Sequence, residues 1–103
     1  MKYMVRPAAR RDMKRYWQTI ASDNARSADD LVDVVEATME KISRQPQLMG
    51  HDMGFRRHAG VRSFRLPPPF GKYLLFFRVH ERHVEFKRLV HGAQHLPRLF
   101  RAR

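Results

Sequence analysis

The stretch of sequence that decides the fold is the run Tyr73-Leu74-Leu75-Phe76-Phe77-Arg78-Val79. Aromatic and aliphatic residues with a single charge over this length predict a β-strand. Side chains alternate between the faces of a strand, so Leu75 and Phe77 share one face while Leu74 and Phe76 share the other. Both faces are apolar, and a half-buried antiparallel strand would have one wet face. We therefore expect the chain's own helices to cover one side and a partner to cover the other.

Two further strands are predicted around this run, at residues 61–66 and 83–90. The first connection contains Pro67, Pro68 and Pro69. Consecutive prolines cannot donate ladder hydrogen bonds, and they stiffen this connection as polyproline II. The second connection is tighter, which predicts an antiparallel hairpin.

The N-terminal half predicts one strand and two helices. Tyr3-Met4-Val5 is a short strand candidate, and apolar residues at helical spacing predict an amphipathic helix over residues 7–22. A second helix is predicted to begin with Ser27 as its N-cap and to run to about Arg44. The short link between them forces an antiparallel helix hairpin.

The fold class that follows is α+β, in one domain over residues 1–103. An N-terminal strand precedes the helix hairpin, which packs on a twisted antiparallel sheet of about four strands. Residues 46–60, which contain glycines and no clear periodicity, are predicted to form a long loop between helices and sheet.

Charge is distributed unevenly along the chain. Residues 1–54 hold nine Lys and Arg against eight Asp and Glu, whereas residues 55–103 hold twelve against two, giving +1 and +10. The basic half predicts an anionic partner, either nucleic acid or an acidic polypeptide, although charge also keeps a small protein soluble. The lack of cysteine suits a reducing cytosol, and no apolar run is long enough for a signal peptide or membrane helix. We expect a cytoplasmic protein.

Candidate chemical groups are sparse. His91, at the end of the last predicted strand, is interpreted first as a structural hydrogen-bonding residue. His91 and His95 have ligand spacing only within a helix, which Gly92 argues against, so neither metal nor cofactor is expected. A sequence-specific DNA reader needs a recognition helix with basic and amide side chains, and the second helix is acidic at its exposed start.

Two charged residues of the last strand are interpreted structurally. Arg88 is predicted to share a strand face with Val84, Phe86 and Val90, with its guanidinium satisfied by backbone carbonyls. Lys87 and Glu85 are predicted to project to the opposite face. Glu85 is interpreted as the only carboxylate near the apolar strands, where an isolated carboxylate makes no acid–base pair.

Several segments in fixed order resemble the ParE family within the ParE/RelE superfamily of bacterial type II toxin–antitoxin toxins. They are Pro7-Ala8-Ala9, Trp17-x-x-Ile20-Ala21-x-Asp23-Asn24, Ala28-Asp29, Gly60-Val61-Arg62-Ser63-Phe64, the run at 73–79, Val84-Glu85-Phe86-x-Arg88-Leu89-Val90-His91-Gly92 and Leu96-Pro97. The resemblance covers nearly the whole chain. It departs from the family at the triple proline, which lengthens a usually short turn, and at Gln94-His95, where Arg-Asp is common.

The resemblance implies an acidic ParD-like antitoxin as partner, with DNA contacted only indirectly through that antitoxin. Its extended C-terminal segment would cover the second sheet face at Leu74, Phe76 and Arg78, with Arg62, Arg65 and Lys87 as rim charges. The target would be DNA gyrase, bound without catalysis, and the basic tail would supply the contacts Arg98, Arg101 and Arg103.

Two alternatives remain open at this point. A RelE-like ribosome-dependent mRNA endoribonuclease needs acid–base groups, typically a tyrosine or a histidine–tyrosine pair after the last strand. No tyrosine follows Tyr73, so such chemistry would rest on His91 with neighbouring cations. The third hypothesis is a decayed toxin that acts only as a corepressor with its antitoxin.

Overall fold

The structure is a computed structural model of the 103-residue chain and describes residues 1–52 and 60–92. It contains two α-helices packed on one five-stranded sheet with strand order β1-β5-β4-β3-β2. The elements in chain order are β1 Lys2–Val5, α1 Pro7–Ala21, α2 Ala25–Arg44, a 3₁₀ turn Pro46–Leu48, β2 His51–Asp52, β3 Val61–Arg65, β4 Tyr73–Val79 and β5 His83–His91. The predicted α+β class, with a helix hairpin on a sheet, is confirmed.

Two features of the sheet differ from the prediction. Strand β1 pairs with β5 in parallel, so the sheet is mixed, because the chain passes through the whole helix hairpin before returning to the neighbour of β1. Strand β2 lies inside the predicted loop and pairs antiparallel with β3 at only two positions, His51 with Ser63 and Asp52 with Arg62. A pair this short carries no periodic pattern that sequence analysis could detect.

The start of α2 corrects the predicted N-cap. Asn24 has extended backbone dihedrals, and its side-chain oxygen accepts the N–H of Ser27 at 3.1 Å. Asn24 is therefore the N-cap, and Ser27 lies inside the first turn. Helix α1 begins at Pro7, where a proline costs no hydrogen bond because the first N–H groups have no partner within the helix.

The main core lies between the helices and one face of the sheet. Leu31, Val35 and Ile42 of α2 are fully buried against Leu75 and Phe77 of β4. Each of these large side chains contributes roughly 1.5–3 kcal/mol on transfer from water. The predicted orientation of Leu75 and Phe77 toward the helices is confirmed.

A β-bulge in β5 changes the predicted alternation. Phe76 pairs with Arg88 whereas the next residue, Phe77, pairs with Phe86, which leaves Lys87 as an extra residue. As a result Val90 packs in a different cluster from Val84 and Phe86. The prediction that Arg88 shares one face with all three, opposite Lys87, is wrong because the bulge resets the period of two.

Side chains of α1 continue the hydrogen bonding along the outer edge of β5 where β1 ends. The last strand-like bond there runs from the N–H of Arg6 to the carbonyl of Phe86 at 2.9 Å. Beyond it, the carboxylate of Asp12 accepts the N–H of Leu89 at 3.0 Å, and the hydroxyl of Tyr16 accepts the N–H of His91 at 2.9 Å. The helix thereby protects a strand edge that would otherwise expose unpaired backbone groups.

Candidate functional site

The second face of the sheet carries a small apolar cluster of Val61, Phe76 and Val90, with Leu74 packed against it. All three cluster members are fully buried, and Leu74 is half-buried. The expectation that Phe76 would lie open for a partner is therefore wrong, because the chain itself already excludes water from its ring. Leu74 is the predicted apolar contact that retains exposed surface.

Three of the predicted binding residues share this face by strand register. Arg65 of β3 stands opposite Leu74 of β4, and Arg78 of β4 stands opposite Glu85 of β5. Arg65 is exposed, and its guanidinium donates to the carbonyl of Gly71. Lys87 belongs to the same neighbourhood, since its Nζ lies 3.9 Å from the carboxylate of Glu85. The structure thus brings one apolar and three basic residues around the buried cluster.

Arg62 is separated from the other predicted rim charges. It stands opposite Phe77, on the helix-facing side, and its guanidinium donates to the carbonyls of Met49 at 2.9 Å and Gly50 at 3.0 Å. Gly50 has a φ of +79°, and a Cβ there would lie 2.8 Å from the Phe77 ring and from the Ser63 carbonyl. This tight passage of the chain requires glycine, and Arg62 fastens it to β3. The placement gives Arg62 a structural role.

Glu85 lies at the centre of a charged group on the second face. Its carboxylate is 2.8 Å from His80 Nε2, 3.5 Å from Arg6 Nε and 3.9 Å from Lys87 Nζ. Burial acts to raise the pKa of Glu85, but the His80 hydrogen bond and the charges of Lys87 and Arg6 outweigh it and lower the pKa below its ordinary value. This carboxylate is therefore held ionised rather than poised as a general acid.

A second carboxylate, Asp12, was missed by the sequence interpretation. It is 3% exposed and accepts two hydrogen bonds from Arg88, from Nε at 2.7 Å and from the Nη2 atom at 2.9 Å. Hydrogen bonding to Asp12 raises the pKa of Arg88 against the opposing effect of burial. The predictions that Glu85 is the only carboxylate near the strands and that Arg88 bonds backbone carbonyls are both wrong. The available signal was Asp12 itself, which lies within the apolar stripe of α1 between Ala9 and Tyr16.

His91 belongs to an aromatic cluster that sequence spacing did not reveal. The ring of Tyr73 meets His91 edge to face at 5.1 Å, and Tyr16 meets Tyr73 in the same way at 5.1 Å. Burial, reinforced by Tyr16, raises the pKa of Tyr73, which makes its phenol a weaker acid than usual. These are packing contacts around a backbone hydrogen bond, and they support the structural interpretation of His91.

The remaining predicted contacts lie outside the described residues. They are Arg98, Arg101 and Arg103 of the tail. Within residues 1–52 and 60–92, no helix is both long enough and apolar enough to cross a membrane.

Comparison with known proteins identifies the family. The model of the ParE toxin of the type II toxin-antitoxin system parDE matches residues 3–96. A solved structure described as the chromosomal ParDE TA system from P. aeruginosa is similar, with a TM-score of 0.74, 17% identity, and coverage of 88% of this chain and 95% of that chain. No curated protein matches. Because the family model spans most of the sequence, this chain belongs to the ParE toxin family of type II toxin–antitoxin systems.

Proposed function

We propose that this chain arrests growth in the cytoplasm by binding DNA gyrase without catalysis, and that a ParD-like antitoxin neutralises it. The observation that carries the proposal is the family match over residues 3–96. The described residues support a binding role because their carboxylates are committed to ion pairs. Asp12 holds Arg88, and Glu85 is surrounded by three cationic or imidazole groups.

The antitoxin is proposed to contact the second sheet face at its exposed border. Leu74 supplies apolar surface, and Arg65, Arg78 and Lys87 supply positive charge for an acidic segment. The buried Phe76 supports this border from beneath, so its replacement reports on stability rather than on a direct contact. Arg62 contributes in the same indirect way.

The first experiment tests the target. Purified chain is added to a gyrase supercoiling assay, and the antitoxin is then added to the inhibited reaction. We expect inhibition by the chain and recovery with the antitoxin. Unimpeded supercoiling alongside cleavage of ribosome-bound transcript, with that cleavage lost in His91→Ala, would establish the endoribonuclease alternative instead.

A second experiment tests the tail. Replacing Arg98, Arg101 and Arg103 together by alanine is expected to weaken gyrase inhibition at least tenfold while leaving antitoxin binding intact. The matched control replaces Arg10, Arg11 and Lys14 of α1 by alanine, which removes the same positive charge from another exposed surface. Equal loss in both variants would show that net charge, and not the tail, governs inhibition.

A third experiment tests the antitoxin surface. Leu74→Asp is expected to raise the Kd for the antitoxin at least tenfold, because it places a negative charge where an acidic segment docks. The control is Met4→Asp, at a 41% exposed methionine on the far edge of the sheet. A Kd that rises for Met4→Asp and stays constant for Leu74→Asp would move the antitoxin to the opposite edge.

A further inference from the structure

An open pocket of about 270 Å³ lies between α2 and the outer part of β3. Its apolar wall includes Val34 and Ala37 of α2 together with Phe64 and Pro67. Pro67 begins the triple-proline connection, where the N–H of Phe70 donates to the Pro67 carbonyl at 3.0 Å and closes a turn. The fixed dihedrals of proline make this wall rigid before any partner binds.

Positive charge stands on both sides of the pocket. Lys41 lines it from α2 and Arg65 lines it from β3. Among the described residues neither cation has a carboxylate partner, and Glu40, the acid next to Lys41 in sequence, is paired with Arg44 at 3.6 Å. An apolar floor between two uncommitted cations fits a segment that carries both apolar and acidic side chains.

The adjoining strand edge indicates an extended conformation for that segment. Strand β2 accompanies β3 only at Arg62 and Ser63, so no described strand lies beside Arg65. The N–H of Leu66 donates to the carbonyl of Tyr73 on β4, and backbone groups alternate along a strand. The N–H and C=O of Arg65 therefore point to the outer edge, where a further strand can pair with them.

We propose that this pocket binds an extended acidic segment of the antitoxin as an added strand along β3. An apolar side chain of the segment lies between Val34 and Phe64, and its carboxylates pair with Lys41 and Arg65. The inference rests on the proposed function and extends its binding surface from the second face around the edge at Arg65. A second groove, between Arg10, Lys14 and Trp17 of α1 and Val32 of α2, is the nearest competitor. It is less suited to an acidic segment because exposed acids of α2, Asp29 and Glu36, stand close to Val32 in the helix.

The test measures the Kd between the purified full chain and a synthetic peptide covering the acidic C-terminal segment of the antitoxin. Lys41→Glu/Arg65→Glu is expected to raise the Kd more than tenfold, and Ala37→Trp is expected to do the same by filling the pocket. The matched control is Arg10→Glu/Lys14→Glu, which makes the same charge change at the competing groove and should alter the Kd less than threefold. Thermal unfolding by circular dichroism checks that each variant is folded.

Amide hydrogen exchange supplies a second readout that does not depend on substitutions. On addition of the peptide, the amide of Arg65 should become protected, whereas the amide of Leu66, already bonded to Tyr73, should change little. Wild-type binding with no protection at Arg65 and no effect of the pocket variants would overturn the inference while leaving the proposed function standing. Failure of the wild-type chain to bind the peptide at all would overturn both. Pocket variants that change self-association in sedimentation, and not peptide binding, would assign the pocket to a second copy of the chain.

Discussion

The two faces of the sheet are built from the same kinds of residue but differ in depth. On the helix side, Phe77 belongs to a large core closed by α2, whereas on the other side Phe76 belongs to a cluster with only Val61 and Val90. The carboxylates that border the sheet differ in the same way. Asp12 is 4% exposed in its side chain and holds a two-point pair, while Glu85 is 14% exposed with longer contacts. The comparison teaches that one face determines the fold, and that the other leaves charged surface available for binding.

The largest expected effect separates the two phenylalanines. Phe77→Ala should lower the free energy of unfolding by about 5 kcal/mol and Phe76→Ala by about 3 kcal/mol, because the deeper core collapses less around the lost ring. Urea unfolding followed by circular dichroism measures both. Equal losses would show that the second face is as much a folding core as the first.

Removing the buried carboxylate should have the next largest effect. Asp12→Ala leaves the Arg88 guanidinium and the N–H of Leu89 without their acceptor, and should cost about 3 kcal/mol of unfolding free energy. The double variant Asp12→Ala/Arg88→Met should recover part of this loss, since it also removes the partly buried charge. Strict additivity of the two single losses would contradict a coupled pair.

A smaller effect is expected at the neighbouring edge contact. Tyr16→Phe keeps the ring packing on Tyr73 but removes the hydroxyl that accepts the N–H of His91, at a cost of about 1 kcal/mol. Hydrogen exchange of the His91 amide should accelerate in this variant. Unchanged exchange would show that the helix does not protect this part of the β5 edge.

The smallest effect is the pH dependence at Glu85. Its lowered pKa contributes stability at pH values above the ordinary carboxyl range, and this contribution is lost as the pH falls through the lowered pKa of the folded state. At pH 7, Glu85→Gln should be less stable than wild type by about 0.5 kcal/mol, as for other partly exposed ion pairs. The difference should vanish in acid. A constant difference across the pH series would contradict an electrostatic origin.

Most of the elements were predictable, because each depends on a pattern within its own segment. The period of 3.6 residues marked the helices, and the apolar run at 73–79 marked the central strand with its correct orientation. The family resemblance was also readable from ordered segments, and the family is confirmed. The candidate site was predicted less well. Arg65, Leu74, Arg78 and Lys87 were correctly grouped, while the burial of Phe76 and the separation of Arg62 were not foreseen.

The sequence by itself determined the helices, the three long strands of the sheet, the basic character of the C-terminal half and the family. Only the tertiary structure decided the parallel pairing of β1, the bulge at Lys87 and the partnership of Asp12 with Arg88, residues separated by 76 positions. The physical reason is that periodicity records which way a side chain points relative to its neighbours in sequence. Which group receives it depends on packing across the whole chain, where one inserted residue or one buried charge selects among partners that are locally equivalent.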